Sequence, residues 1–279
     1  MDQEIAQEGG KTLDGLARRM WQYKAVRYVV YFLLLAIAVL FFGREYAANI
    51  LMFHPVKGGS LNFAQEVRFN GLHGYYVKCN DELKENPKTL LYFHGNAGNA
   101  SFREHPLKML RPHFNVLIFD YSGYGHSGGK PTEAQLYQDG QNAYDFLRKT
   151  TKPEDIILYG VSLGGGVASH VATKNECSGL ILQSTFSGVD DFVPSLLKPF
   201  APWFPNRSNL EKVNCPVLIM HGRQDEIIPY RSARLLHAHK PTAEFFDLQG
   251  GHNNTYYSEK MINTMVRFAY DGESSGSDA

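Results

Sequence analysis

From Thr89 onward, short unbroken apolar runs alternate with helix-periodic segments, and no other feature constrains the fold as strongly. The runs Thr89 to Phe93, Val116 to Phe119, Ile156 to Tyr159, Leu180 to Leu182, Val217 to Met220 and Glu244 to Leu248 read as strands. Between and after them, Phe102 to Leu110, Ala134 to Leu147, Val167 to Thr173, Ser232 to Ala238 and Glu259 to Ala269 read as helices. Strands this short and continuously apolar are buried on both faces, which predicts a mostly parallel sheet with helices on either side. Upstream, Gln65 to Phe69 and Gly74 to Lys78, broken by Asn70-Gly71-Leu72-His73-Gly74, predict an antiparallel hairpin at a sheet edge. Thr132 and Gln135 behind Pro131 have the spacing of a capping box. With 279 residues, 43% of them hydrophobic, the chain can build one large α/β domain, and it shows no internal repeat.

Charge and cysteine content remove whole classes of function. Lys plus Arg number 28 and Asp plus Glu number 28, with no long single-sign run, so nothing in the balance points to nucleic acid. Cys79, Cys177 and Cys215 are widely spaced and form no C-x-x-C pair, so buried free thiols are expected and a catalytic cysteine is not. The histidines show no H-x-x-x-H or H-E-x-x-H spacing, so no metal and no cofactor is expected.

The N-terminal part has a different character. Residues 1 to 24 are polar and mixed in charge, and Val26 to Phe42 is apolar and aromatic apart from Arg27. As a helix that run spans about 25 Å, slightly under a ~30 Å hydrocarbon core, and Arg27 can snorkel. It is read as a transmembrane anchor over 25–48, with a cleaved signal peptide as the alternative. Lys11, Arg18, Arg19, Lys24 and Arg27 lie on the N-terminal flank of the apolar run, against Arg44 and Lys57 on the other, which predicts a single-pass protein with a cytoplasmic N-terminus. Against a lumenal main domain, the sequons at Asn99 and Asn253 fall in loops that the strand pattern makes candidates for a site, where a glycan would obstruct it; Asn206 is the third sequon. The main α/β domain is placed at 49–271, and the polar end 272–279 is expected to be disordered.

Chemistry in such a sheet collects at the C-terminal ends of the strands. Gly160-Val161-Ser162-Leu163-Gly164-Gly165 joins a strand to a helix, the context of a nucleophile elbow, and makes Ser162 the candidate nucleophile. A serine capping a helix is the bland reading of the same residues, and Ser127 is a weaker candidate. His94-Gly95-Asn96-Ala97-Gly98-Asn99 follows another strand with small side chains, so the N–H of Asn96 or Ala97 could join that of Leu163 in an oxyanion hole. A phosphate-binding loop is its rival, without the Lys-Ser/Thr that should follow. Asp225 and Glu226 compete to orient a histidine after Met220, and His252 sits on a glycine-flanked loop after Leu248. The order Ser, Asp, His, each at its own strand end, is more specific than any one motif.

These residues together resemble the α/β-hydrolase superfamily, and within it the membrane-anchored α/β-hydrolase-domain serine hydrolases. The resemblance rests on Phe93 to Asn99, Asp120 to Gly125, Gly160 to Gly165, Asp225 with Ile228-Pro229, and Gly251-His252-Asn253, and covers about Leu61 to Tyr270. It implies Ser162 as nucleophile, Asp225 rather than Glu226 as the acid, His252 as the base, and Asn96 with Leu163 at the oxyanion. Members often carry Arg where this chain has Ser122 and Val161. A lid is expected at about 185–214, where Phe186, Phe192, Phe200, Trp203 and Phe204 could cover an acyl chain or simply pack on the sheet. The expected activity is cleavage of carboxylic esters or thioesters of lipid or acylated protein at a membrane. A serine peptidase on the same fold and a non-catalytic binding protein are the alternatives.

Overall fold

The computed structural model describes residues 23, 26–35, 43, 52–81, 86–192, 203–253 and 257–270. The chain divides into two units, Met1–Met52 and Phe53–Ala279. Residues 26–35 of the first are helical, and their side chains are exposed on every side. No helix of the described residues is long and apolar enough to cross a membrane, and the second half of the expected span, 36–42, lies outside them. The polar segment 1–22, the centre of the expected lid at 193–202 and the tail 271–279 lie outside them too.

The second unit is built on an eight-stranded sheet. In chain order the strands are β1 His54–Pro55, β2 Gln65–Phe69, β3 Leu72–Val77, β4 Thr89–Phe93, β5 Ala97–Gly98, β6 Asn115–Phe119, β7 Ile156–Val161, β8 Gly179–Gln183, β9 Val217–Gly222 and β10 Glu244–Leu248. The main sheet runs β10-β9-β8-β7-β4-β6-β3-β2, and β1 pairs with β5 in a separate small ribbon. Pairing is parallel from β10 to β6, and β3 and β2 add an antiparallel edge. The edge hairpin is tighter than the sequence suggested. Asn70 at φ 46° and Gly71 at φ 78° make a two-residue turn, so Leu72 and His73 already belong to the returning strand. Both residues tolerate positive φ, and a turn of that hand matches the strand twist.

Alternate residues of the central strands point to opposite faces, and both are covered. On one face Leu90, Tyr92, Val116, Ile118, Ile157, Tyr159, Ile181, Leu218 and Met220 pack against helices α1 (Glu104–Leu110) and α6 (Glu259–Tyr270). On the other lie α2 (Glu133–Leu147) and α3 (Leu163–Ala172), packed so closely that Gly140 fits between Val167, Val171 and Phe93. Helices α4 (Asn206–Leu210) and α5 (Tyr230–His239) are the other α-helices of this unit among the described residues. The capping box at α2 is half made. Thr132 accepts from the Gln135 N–H, but the Gln135 side chain turns to Asp139 Oδ1 at 2.9 Å. One such cap contributes about 1 kcal/mol. The three cysteines are free and half-buried rather than buried, and Cys177 Sγ lies 3.2 Å from Cys215 Sγ.

Candidate active site

Strand β7 ends at Val161, α3 begins at Leu163, and Ser162 makes the turn between them at φ 55°, ψ −120°. A residue with a side chain pays roughly 1–3 kcal/mol to hold that conformation, so the surroundings must impose it. They do so from both sides of the peptide. The Ser162 N–H donates to Gln183 O at 2.9 Å, and Ser162 O accepts from Thr185 Oγ1 at 2.6 Å and from the Gly165 N–H at 3.0 Å. The flanking glycines let strand and helix close up: a Cβ on Gly164 would lie 2.0 Å from Phe93 O, and one on Gly160 2.6 Å from Gly164 O.

The side chains predicted from three separate strand ends meet here. His252 Nε2 lies 3.0 Å from Ser162 Oγ, and His252 Nδ1 lies 2.8 Å from Asp225 Oδ2. An ionised carboxylate can only accept, so Nδ1 carries the proton and Nε2 presents its lone pair to the serine hydroxyl. Burial by itself would raise the Asp225 carboxyl. The His252 hydrogen bond and the N–H groups of Ile228 and Ile227 on Oδ1 outweigh it and hold the group below the usual carboxylate range. His221 stands 3.4 Å from Asp225 Oδ2, but its Nε2 bonds to Ile228 O and burial lowers its pKa, so it is a neutral neighbour. Glu226, the sequence's competitor for Asp225, accepts from the backbone N–H of His252 at 3.1 Å instead of from the ring.

The loop after β4 runs beside the serine, since a Cβ on Gly95 would lie 3.5 Å from Ser162 Cβ. Its carbonyls are each held by a named donor. Tyr121 Oη donates to His94 O, the His94 ring to Gly95 O, Tyr124 Oη and the His54 N–H to Asn96 O, and Arg103 Nη2 to Ala97 O. Leu163 opens α3, so its N–H has no intrahelical acceptor. Asn96 and Leu163 therefore flank Ser162 on the two segments from which an oxyanion could be bound.

Other residues take structural places. Ser127 is buried between Asp120 O and the His73 N–H. Asp120 gathers the Ala100 N–H, the His126 N–H and His73 Nδ1, a knot that no spacing in the sequence announces. Asn99 and Asn206 are buried with their side-chain amides donating to backbone carbonyls, so of the three sequons Asn253 has the exposed side chain. Among the described residues no group of three or more His, Cys, Asp or Glu could hold a metal.

A family model described as the alpha/beta hydrolase fold matches residues 88–208. The mouse alpha/beta hydrolase domain-containing protein 17C is 34% identical over 214 residues, covering 74% of this chain and 66% of its own length. The chain thus spans just under two thirds of that relative. Human alpha/beta hydrolase domain-containing protein 17B is 34% identical over 202 residues, 69% of each chain. Among solved structures, an esterase of Pyrococcus furiosus superposes with a TM-score of 0.62 at 19% identity, covering 78% of this chain and 97% of the esterase. At that identity the likeness speaks for the fold, while the two mammalian relatives carry the kinship. The strand order, the elbow and these relatives agree, and the chain belongs to the α/β-hydrolase family.

Proposed function

We propose that this protein is a membrane-anchored serine hydrolase that cleaves carboxylic ester or thioester bonds of lipid or acylated substrates through an acyl-enzyme on Ser162. The observation that carries the reading is the continuous hydrogen-bonded chain from Ser162 Oγ through His252 to the buried Asp225 carboxylate. In the proposed reaction His252 Nε2 takes the hydroxyl proton as Oγ attacks the acyl carbon, and Asp225 stabilises the imidazolium that forms. The N–H groups of Asn96 and Leu163 hold the oxyanion, where a single donor matters by about 10²- to 10³-fold in rate. His252 then protonates the leaving oxygen or sulfur, and a water deprotonated by the same ring releases the acid.

The acyl preference is supported by the aromatic cluster of Phe186, Phe192 and Phe204, which meet edge to face where a lid was expected, with Phe192 48% exposed. Membrane attachment is supported by the helical residues 26–35, which expose Val29, Phe32, Leu33, Leu34 and Leu35 all round the axis, as a lipid-facing helix does. Labelling the parent and Ser162→Ala proteins with a fluorophosphonate tests the reading: label on the parent alone supports it, and equal labelling of both sinks it. A peptidase on the same triad would show itself by cleaving an amide as readily as the matching ester.

A further inference from the structure

Arg103 ends the short 3-10 turn Ala100–Arg103 that follows the loop beside Ser162. It is half-buried, and among the described residues its guanidinium makes one hydrogen bond, from Nη2 to Ala97 O. Its Nε is buried with no partner among the described residues. It forms no ion pair among the described residues, and Asp120, the carboxylate of this loop cluster, is already committed to Ala100, His126 and His73. The ionisable groups that sense its charge are His94, Tyr92, Tyr121, Tyr124 and Tyr257, all of which burial keeps neutral. A planar fork of five N–H donors is therefore held without a counter-charge, in a place where desolvating a lone cation is costly. Such a fork is shaped for paired anionic oxygens.

Its place fixes what it could bind. Gly95 packs beside Ser162 and Ala97 is two residues further along the same loop, so the chain limits the guanidinium to within roughly 18 Å of the serine oxygen, and a loop short of full extension puts it on the order of 10 Å away. A phosphate on the third carbon of a glycerol can reach across that gap from an ester on the first. We infer that Arg103 selects acyl esters whose leaving group carries a phosphate, of the acylglycerol phosphate type. This inference rests on the serine-hydrolase reading of the same site. In the reaction the bond between the acyl carbon and the glycerol oxygen breaks as the bond to Ser162 Oγ forms. Glycerol phosphate leaves with the proton from His252, and water then frees the fatty acid.

The test is binding to the full-length Ser162→Ala protein, so that it does not depend on turnover. 1-Butanoylglycerol 3-phosphate and 1-butanoylglycerol differ in the phosphate alone, and their dissociation constants are compared. The phosphate form is expected to bind about tenfold or more tightly, the worth of a charge-assisted fork. Adding Arg103→Met should bring the ratio of the two constants close to one, and Arg103→Lys should keep part of it. If Arg103 is only a strut for Ala97, substitution weakens both ligands together and the ratio survives, which overturns the inference. A ratio near one in the Ser162→Ala protein with Arg103 intact overturns it as well. In that same protein the ratio should shrink as salt is raised, and a salt-independent ratio overturns the ionic contact. Fluorophosphonate labelling of Ser162 reports on the hydrolase reading separately, so the two can fail independently.

Discussion

His94 makes stability depend on pH in a way that can be worked out from its surroundings. The ring is fully buried against Tyr121 and Tyr124, its Nδ1–H donates to Gly95 O at 2.7 Å, and Nε2 is buried with no partner among the described residues. A second proton on Nε2 would be an unpaired buried charge. Burial and then the Arg103 guanidinium lower the pKa to about 4, against the Gly95 hydrogen bond and Asp120, which act the other way. In the unfolded chain the ring returns to about 6.5. Because the folded pKa is the lower one, the unfolded state binds more protons between these values, and stability falls as pH drops through that window. Its full extent is about 3 kcal/mol, of which about 2 kcal/mol is lost between pH 7 and pH 5. His94→Asn keeps a donor for Gly95 O and removes the titration. Urea unfolding of both proteins at the two pH values should therefore show the parent losing about 2 kcal/mol more than the variant. The difference isolates His94, since other titrating groups, including His170 with its pKa lowered to about 4, are common to both. Equal losses in parent and variant would show that His94 is protonated as readily folded as unfolded, and the account of a neutral, walled-in ring would be wrong.

Three further outcomes are expected. Gly164→Ala puts a Cβ 2.0 Å from Phe93 O, against backbone that cannot swing aside, so its melting temperature should fall by many degrees or the protein should fail to fold; a normal melt would contradict the close strand–helix approach. Asp225→Asn should lower kcat for an ester by about 10³- to 10⁴-fold through loss of the correct tautomer and of imidazolium stabilisation. Glu226→Gln, at a side chain that accepts from the His252 backbone rather than its ring, should cost less than about tenfold, and the reverse ranking would reassign the acid. With Sγ atoms 3.2 Å apart, Cys177 and Cys215 should be joined by excess oxidised glutathione while Cys79 remains alkylatable; peptide mass mapping that finds both still alkylated would place the thiols further apart.

The strands and the three strand-end side chains were legible because each is written locally. An unbroken apolar run has one use in a doubly covered sheet, and Gly160 and Gly164 announce a turn in which backbone must meet backbone. The Asn70-Gly71 turn was also written locally, although the sequence was read as a longer break. Contacts made across the fold left no such trace. His73 meets Asp120 and Cys177 meets Cys215 across 47 and 38 residues with no periodicity to link them. Gln135 could satisfy either the cap or Asp139, and only the packing of α2 decides. Arg103 looks like an ordinary helix-end cation until its neighbours are known to be neutral. The relation of Asp225 to Glu226 needed the fold too, because adjacent carboxylates differ only in which one the loop turns inward.

The hydrogen-bonded side chains descend from the ends of β7, β9 and β10, with β8 between them in the sheet. Ser162 and His252 are 90 residues apart in sequence, so no local fragment can bring them together. Parallel pairing of this kind closes long loops and forms late and slowly. On the serine-hydrolase reading, a nascent or partly unfolded chain therefore has no means of attacking an ester, and half-folded molecules are chemically silent. Regain of reaction at Ser162 after denaturant is diluted would then time the docking of the last strand, β10, and would lag behind the recovery of helical signal.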